Sequence, residues 1–353
     1  MDSEKRFELV KSIGEEIITE EELKTLLETN DKPIAYDGFE PSGLAHLPFG
    51  VYRALTLKKL LEANVHFKLY LADYFAFVNN KLEGDLNLIN TCGDYFIEVW
   101  KAAGIPIKKV EIIKASELMD SLKYWNRVLT VAKNMTLNRT KRAMSIAGRK
   151  ETDELHTAQL FYPAMQVADI FEMDVDICQL GLDQRRANIL AREVAEKMHW
   201  KKPVALHHHM LLGLQGLDKS GDVIDSKMSK SKPETCIFVH DSFEEIKKKI
   251  NTAYCLPKDI VNNPLLDYSK HIIFQEFKEM KIERPEKFGG NLAFNSYAEL
   301  ETAFASGNLH PLDLKNGVSF YLNELIKPIR GHFEKDAKAK KLYEAVRDAK
   351  KTR

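Results

Sequence analysis

The stretch from Lys32 to Ala63 narrows the possible folds more than any other. Lys32-Pro33-Ile34-Ala35-Tyr36-Asp37-Gly38-Phe39 reads as a strand ending in glycine and an aromatic residue. The turn Glu40-Pro41-Ser42-Gly43-Leu44-Ala45-His46-Leu47-Pro48-Phe49-Gly50 follows, and a helix runs from about Val51 to Ala63. Strand, glycine-containing turn and helix open a doubly wound α/β domain. The helix N-terminus then points its free N–H groups at a place suited to an anion. His46 lies in that turn. A lone histidine is more often packed than catalytic, so its standing depends on what the rest of the chain brings to the same end of the sheet.

Further strands with short connections support the same class. Phe67 to Ala72 alternates and then turns fully apolar, ending at Asp73, where a carboxylate is equally a strand-end cap or a ligand group. Val110-Glu111-Ile112-Ile113 and Asp176 to Leu180 are the next strands. Gly181-Leu182-Asp183-Gln184-Arg185-Arg186 then repeats the glycine turn and opens a helix to about Lys197. Val204 to Leu214 reads as a strand followed by a loop, and Cys236 to Val239 as a short strand. Residues 3–30 are helical in pattern, with Ile13, Ile17, Ile18, Leu23, Leu26 and Leu27 as an apolar stripe and Thr19/Glu22 as a capping box. Helix 84–104 and a long helical region reaching Gly148 flank the third strand. Residues 241–353 read as almost wholly helical. The expected organisation is a Rossmann-type parallel-sheet domain over 1–235, with a helical connective region near 110–150, and an all-α domain over 236–353.

Three patterns carry chemistry. Tyr162, Gln166 and Asp169 lie at i, i+4 and i+7 within an otherwise apolar segment, so they share one helix face. Polar groups on a buried face need partners, either one another or a small polar ligand. Asp225-Ser226-Lys227-Met228-Ser229-Lys230-Ser231-Lys232 sets lysines and hydroxyls on a loop between two apolar elements, which suits closure over a polyphosphate. Asn138-Arg139-Thr140-Lys141-Arg142, continued by Arg149-Lys150, is a basic patch, readable as a solvated face or as a track for a phosphate backbone. His207-His208-His209 is not expected to form a metal site, because consecutive strand residues alternate faces.

Composition removes several classes. The 353 residues have no apolar run near the roughly twenty needed to cross a bilayer. The charged N-terminal residues lack a signal-peptide-like apolar stretch. Cys92, Cys178, Cys236 and Cys255 show no C-x-x-C spacing, which argues against zinc or disulfides and fits a reducing cytoplasm. Net charge is zero, so any nucleic-acid contact has to come from local patches.

Lys227-Met228-Ser229-Lys230-Ser231 resembles the KMSKS signature of class I aminoacyl-tRNA synthetases, and Tyr36-x-Gly38-Phe39-Glu40-Pro41-Ser42-Gly43-x-x-His46 resembles the opening of the archaeal and eukaryotic tyrosyl type. His46-Leu47-Pro48-Phe49 lacks the second histidine of that family's motif, with a one-residue insertion near Pro48. The resemblance implies activation of tyrosine with ATP and transfer to the 3′-terminal adenosine of tRNA-Tyr, with Mg2+ accompanying the pyrophosphate. It implies catalytic roles for His46, Lys227 and Lys230. Tyrosine would be held by Tyr36, Ala72, Tyr162, Gln166, Asp169 and Gln184, and ATP by Gly43, His46, Gly181, Asp183, Met210, Leu211, Lys227, Met228, Ser229 and Lys230. Arg185 would face the first base pair of the acceptor stem, Phe288 would stack on one anticodon base, and His310, Pro311 and Asp313 would frame another. A homodimer with an interface near 110–150 is implied too. Two alternatives stand beside this: a tryptophanyl enzyme, disfavoured by the pairing of Tyr36 with Asp169, and a catalytically silent RNA-binding relative.

Overall fold

The computed structural model describes residues 1–148, 154–216 and 226–349. Arg149 and Lys150 of the basic patch, and Asp225 at the start of the lysine run, lie outside the described residues. Six strands form the main sheet: β1 (Gly14–Ile18), β2 (Ile34–Phe39), β3 (His66–Leu71), β4 (Glu111–Lys114), β5 (Ile177–Gly181) and β6 (Val204–His208). Their order is β1-β6-β5-β2-β3-β4, and the five from β6 to β4 pair in parallel. The chain moves outward from β2 through β3 to β4, then returns to β5 on the other side. The direction of winding therefore reverses between β2 and β5, which is where open α/β sheets bind ligands.

The N-terminal segment is not one helical stretch. Helices Ser3–Lys11 and Glu20–Thr29 flank β1, which pairs antiparallel with β6. The apolar stripe is real but belongs to two helices, and the β-branched pair Ile17-Ile18 pairs with the open edge of β6. Gly14 is required there: a Cβ would sit 2.6 Å from the Leu206 side chain. The Thr19/Glu22 capping box is present as expected. Cys236 to Val239 is also not a strand. Phe238 forms a single bridge with His46, flanked by N–H bonds from Leu47 to Ile237 and from Val239 to Ala45. The pairing stops there because the segment it faces coils into a helix at Pro48.

The two faces of the sheet bury different sets of residues. Ala35, Phe67, Leu69, Leu71, Ile177 and Leu206 pack into one apolar cluster with Leu57, Leu60, Val99 and Trp100 of helices Arg53–Glu62 and Leu86–Ala102. Tyr36, Tyr70, Ala72, Cys178 and Leu180, offset by one residue on the same strands, pack into a second cluster. That cluster includes helices Leu122–Lys133, Tyr162–Glu172 and Arg185–Met198. This second face carries the polar-in-apolar segment. The first cluster continues without a break into the C-terminal helices, through Ile246 and Val318 to Val346. The C-terminal part also contains an antiparallel hairpin, Met280–Ile282 with Leu292–Phe294, that a wholly helical reading omits. Three-residue strands carry too little alternation to be read from sequence.

Candidate active site

At the C-terminal ends of β2, β5 and β6 the structure encloses a cavity of about 370 Å³. Its lining includes Tyr36, His46, Ala72, Tyr162, Gln166, Asp169, Asp183, Gln184, Met210, Leu211, Lys227, Met228 and Lys230, which come from seven separated parts of the chain. Gly43, Gly181 and Ser229 flank the cavity without lining it. Gly181 nonetheless shapes it, since a Cβ there would come within 2.6 Å of Met210 Sδ and 2.7 Å of Asp183 Oδ1. Gly43 adopts a φ of +117°, a backbone that L side chains rarely take up.

The helix Tyr162–Glu172 presents its polar face into one end of this space. Asp169 is 1% exposed and held at both oxygens: the Tyr70 hydroxyl donates to Oδ2 at 2.8 Å and the Tyr124 hydroxyl to Oδ1 at 2.7 Å. Burial pushes the Asp169 carboxyl up to about 8, although both tyrosine bonds act to lower it. The Tyr162 hydroxyl donates to Glu40 at 2.7 Å, and Gln166 Nε2 donates to Gln184 Oε1 at 3.1 Å. These bonds leave atoms over. The Tyr36 hydroxyl and Gln166 Oε1 are buried and have no hydrogen-bond partner among the described residues. Unpaired buried polar atoms are expensive, so a polar ligand here would relieve them.

The other end of the cavity is cationic. His46 Nδ1 is likewise buried and unpartnered. Burial holds the His46 ring well below its ordinary value, and Lys230 and Lys227 push it the same way, so the imidazole is neutral. Lys230 donates to Ser42 Oγ at 2.8 Å and lies 5.5 Å from the centre of the Phe96 ring. Its pKa is lowered by burial. Lys227 pairs with Asp183, and the lysine run is pinned by a Leu212–Lys227 bridge and a Met228 N–H bond to Leu211 of 2.7 Å. Both lysines and the histidine thus meet in one pocket, although Lys227 is 181 residues from His46 in sequence.

Pro48–Tyr52 forms a π-helical turn, closed by the Arg53 N–H to the Pro48 carbonyl. An i→i+5 turn of this kind is a local departure from the α-helical repeat. Phe49 is buried against Trp100 (ring centres 5.0 Å, nearly parallel) and Phe96 (4.1 Å). Gly50 is needed because Val239 Cγ1 lies 2.6 Å from where its Cβ would be.

Several expected residues have other partners. Arg185 Nε donates to both oxygens of Glu16 on β1, at 2.8 and 2.9 Å. Asp73 accepts from Ser116 N–H and Oγ across the sheet end, and it does not line the cavity. His207 contacts Glu16 and Asn188, while His208 contacts Gln179. In the C-terminal part, Phe288 is 61% exposed rather than packed in a core. His310 caps the helix Pro311–Lys335 through Nδ1, and Arg284 links Asp313 (3.7 Å) to the Gly290 carbonyl (2.9 Å). The hairpin tip and that helix start are therefore brought side by side.

Tyr70, Tyr124 and Glu40 are site residues that the sequence reading missed. Tyr70 had a signal, since it shares strand parity with Ala72. Tyr124 had none, because nothing local says which helix will cover Asp169. Arg53 forms a buried pair with Asp37 at 2.8 Å in the cavity lining, and burial outweighs it to push Asp37 to about 6.

Comparison with known proteins agrees with this geometry. The family model of tRNA synthetases class I (W and Y) matches residues 28–327. Tyrosine–tRNA ligase 1, cytoplasmic, of Arabidopsis thaliana is 47% identical over 99% of this chain and 90% of its own length. The tyrosine–tRNA ligase of Aeropyrum pernix is 43% identical over 98% of each. The crystal structure of the Pyrococcus horikoshii tyrosyl-tRNA synthetase complexed with L-tyrosine superposes with a TM-score of 0.91 at 39% identity, covering 98% of this chain and 100% of that one. The chain belongs to the class I tRNA synthetases of the tryptophan and tyrosine family, on the side of the archaeal and eukaryotic tyrosine–tRNA ligases.

Proposed function

We propose that this chain activates tyrosine with ATP and transfers it to the 3′-terminal adenosine of tRNA-Tyr, using the residues gathered around the cavity. The observation that carries the residue assignment is the pocket at Asp169, whose buried carboxyl lines the same cavity as the buried hydroxyl of Tyr36, which has no hydrogen-bond partner among the described residues. A phenol entering between them can donate to one and accept from the other. Tyr162, Gln166 and Gln184 would receive the substrate ammonium, with Ala72 as an apolar wall. A pocket built for a hydroxyl is left with unpaired groups when the hydroxyl is missing, and tyrosyl enzymes are the standard illustration of that rule.

In the first step a tyrosine carboxylate oxygen bonds to the α-phosphorus of ATP as the bond to the bridging oxygen of pyrophosphate breaks. In the second, a terminal ribose hydroxyl attacks the carbonyl carbon and AMP leaves. The protein's task is positioning and stabilising charge on the phosphates. His46 supplies a neutral N–H donor, and Lys230 and Lys227 supply positive charge as pyrophosphate departs. Asp183 and Gly181 would meet the ribose, and Met210, Leu211 and Met228 the adenine side. Gly43 and Ser229 would border the phosphates. Mg2+ enters this reading as part of the nucleotide substrate, and no step is assigned to it.

Residues 1–235 carry the activation chemistry and 236–353 read the anticodon, with exposed Phe288 stacking on a base and His310, Pro311 and Asp313 framing another. Arg185 would exchange Glu16 for the acceptor stem. Exposed Leu122, Trp125, Leu129 and Leu137 in the connective region support a homodimer interface there. Four unpaired cysteines among the described residues, and no described helix long and apolar enough to cross a membrane, support a cytoplasmic setting. The test is exchange of labelled pyrophosphate into ATP with tyrosine, phenylalanine and tryptophan in parallel. Exchange with tyrosine alone is expected; exchange with tryptophan, or none from folded protein, overturns the assignment.

A further inference from the structure

The loop after β6 is held from outside the cavity as well as from within it. Leu212 and Lys227 form a single antiparallel bridge. The bonds that close it run from the Met228 N–H to the Leu211 carbonyl at 2.7 Å and from the Gly213 N–H to the Ser226 carbonyl at 2.8 Å. In such a pair the N–H and C=O of Leu212 itself turn away from the lysine run, because backbone groups alternate along an extended chain. Both meet consecutive residues of the C-terminal part. The Leu212 N–H donates to Asp267 Oδ2 at 3.0 Å, and the Tyr268 hydroxyl donates to the Leu212 carbonyl. Residues 211–213 therefore lie between the lysine run on one edge and Asp267-Tyr268 on the other.

This pair is itself fixed. It ends the short helix Pro264–Tyr268, which Asn263 caps through an oxygen 3.0 Å from the Leu265 N–H, and whose Leu265 and Leu266 are buried in the first apolar cluster. Tyr268 is fully buried. Asp267 Oδ1 accepts from His209 Nε2 at 2.7 Å, and Glu15 Oε2 on β1 accepts from His209 Nδ1 at 2.9 Å. Burial opposes a charge on that ring, but the bonds to Asp267 and Glu15 outweigh it and raise His209 to about 9, so both nitrogens donate. His271, brought down to about 4 by burial and by the charge on His209, stacks neutral against it, with ring centres 4.0 Å and planes 12° apart. Groups from β1, the end of β6 and the C-terminal part thus hold one carboxylate in place behind Leu212.

We propose that Asp267 and Tyr268 are positioning residues for amino-acid activation: by holding both backbone groups of Leu212, they set where Lys227 and Met228 enter the cavity. The inference rests on the reading of the lysine run as the charge-stabilising element of that step. Leu211, Lys227 and Met228 line the cavity, whereas Asp267 and Tyr268 do not. A buried carbonyl left without a partner is costly, so loss of the Tyr268 hydroxyl drives the segment to shift toward another donor. The bridge carries the lysine run with it. The tyrosine end of the cavity is spared, because Tyr36 on β2 and Tyr162, Gln166 and Asp169 on the helix Tyr162–Glu172 stand outside this chain of bonds.

The test is single-turnover formation of tyrosyl-adenylate by the full-length protein, with tyrosine affinity measured by calorimetry and Lys227→Ala run in parallel. Tyr268→Phe and Asp267→Ala should slow the step about 10- to 100-fold, as misplacement of a reacting group does, and leave tyrosine affinity unchanged. Asp267→Asn keeps an oxygen for the Leu212 N–H and can donate its amide to a neutral His209, so it should restore most of the rate. Circular dichroism confirms folding, and if Tyr268→Phe does not fold, the comparison of Asp267→Ala with Asp267→Asn decides. A lowered urea midpoint with a wild-type rate in the folded variants would mean a purely stabilising role and overturn the proposal. So would a loss of tyrosine affinity equal to the loss of rate. Lys227→Ala at the wild-type rate would overturn the reading of the lysine run and this inference with it. A slow Lys227→Ala beside unaffected Tyr268→Phe and Asp267→Ala would overturn the positioning role alone.

Discussion

Replacing Asp169 by Asn is the sharpest single perturbation of the pocket. Asparagine keeps the shape, and its one oxygen can still accept from Tyr70 or Tyr124, so packing is preserved. What is lost is the carboxyl that meets the substrate phenol. A buried polar group left without its partner costs about 1–3 kcal/mol. At about 1.4 kcal/mol per factor of ten, kcat/KM for tyrosine should fall about 5- to 150-fold. Phenylalanine, which makes no such bond, should change much less, so the tyrosine-to-phenylalanine ratio drops by nearly that factor in pyrophosphate exchange. The same carboxyl sets a pH effect on stability. Its folded value of about 8 lies above the ordinary 3.8, so the native state holds a proton that the unfolded chain releases. Its contribution is present below about pH 4 and is lost as pH rises through about 8. Asparagine does not titrate, so urea denaturation should show the variant gaining on the wild type between about pH 4 and pH 8. An unchanged substrate ratio would refute the phenol assignment; parallel stability curves would refute the buried, protonated carboxyl.

Other perturbations separate the parts of the site. Tyr124→Phe removes a donor to Asp169 from a fully buried ring and should lower stability by about 1–3 kcal/mol, read by urea denaturation. It should also move the Asp169 inflection to higher pH, because that bond lowers its pKa. Gly181→Ala drives a methyl against Met210 and Asp183, so KM for ATP should rise while tyrosine affinity, measured by calorimetry, stays put. Lys230→Ala should reduce single-turnover adenylate formation about 100- to 1,000-fold, as loss of one preorganised charge-stabilising donor does; a normal rate would remove it from the chemistry. Phe288→Ala should raise KM for tRNA in aminoacylation by about 1–3 kcal/mol of lost stacking, with pyrophosphate exchange unaffected.

Much of this protein is determined locally. The parallel strands, the glycine turns at 38–50 and 181, and the polar stripe of Tyr162, Gln166 and Asp169 follow from backbone freedom and periodicity, which act over a few residues. Long-range packing decided the rest. The edge strand β1 exists because β6 offers it hydrogen bonds, and no property of Glu15-Glu16 demands it. Tyr70 and Tyr124 reach Asp169 from 99 and 45 residues away, because two elements happen to cover one helix face. His209 gains Asp267 and His271 in the same way, after alternation had separated it from its own neighbours. Periodicity fixes which face a side chain takes, but which other element that face meets depends on the whole chain closing, and that is where this site acquires its chemistry.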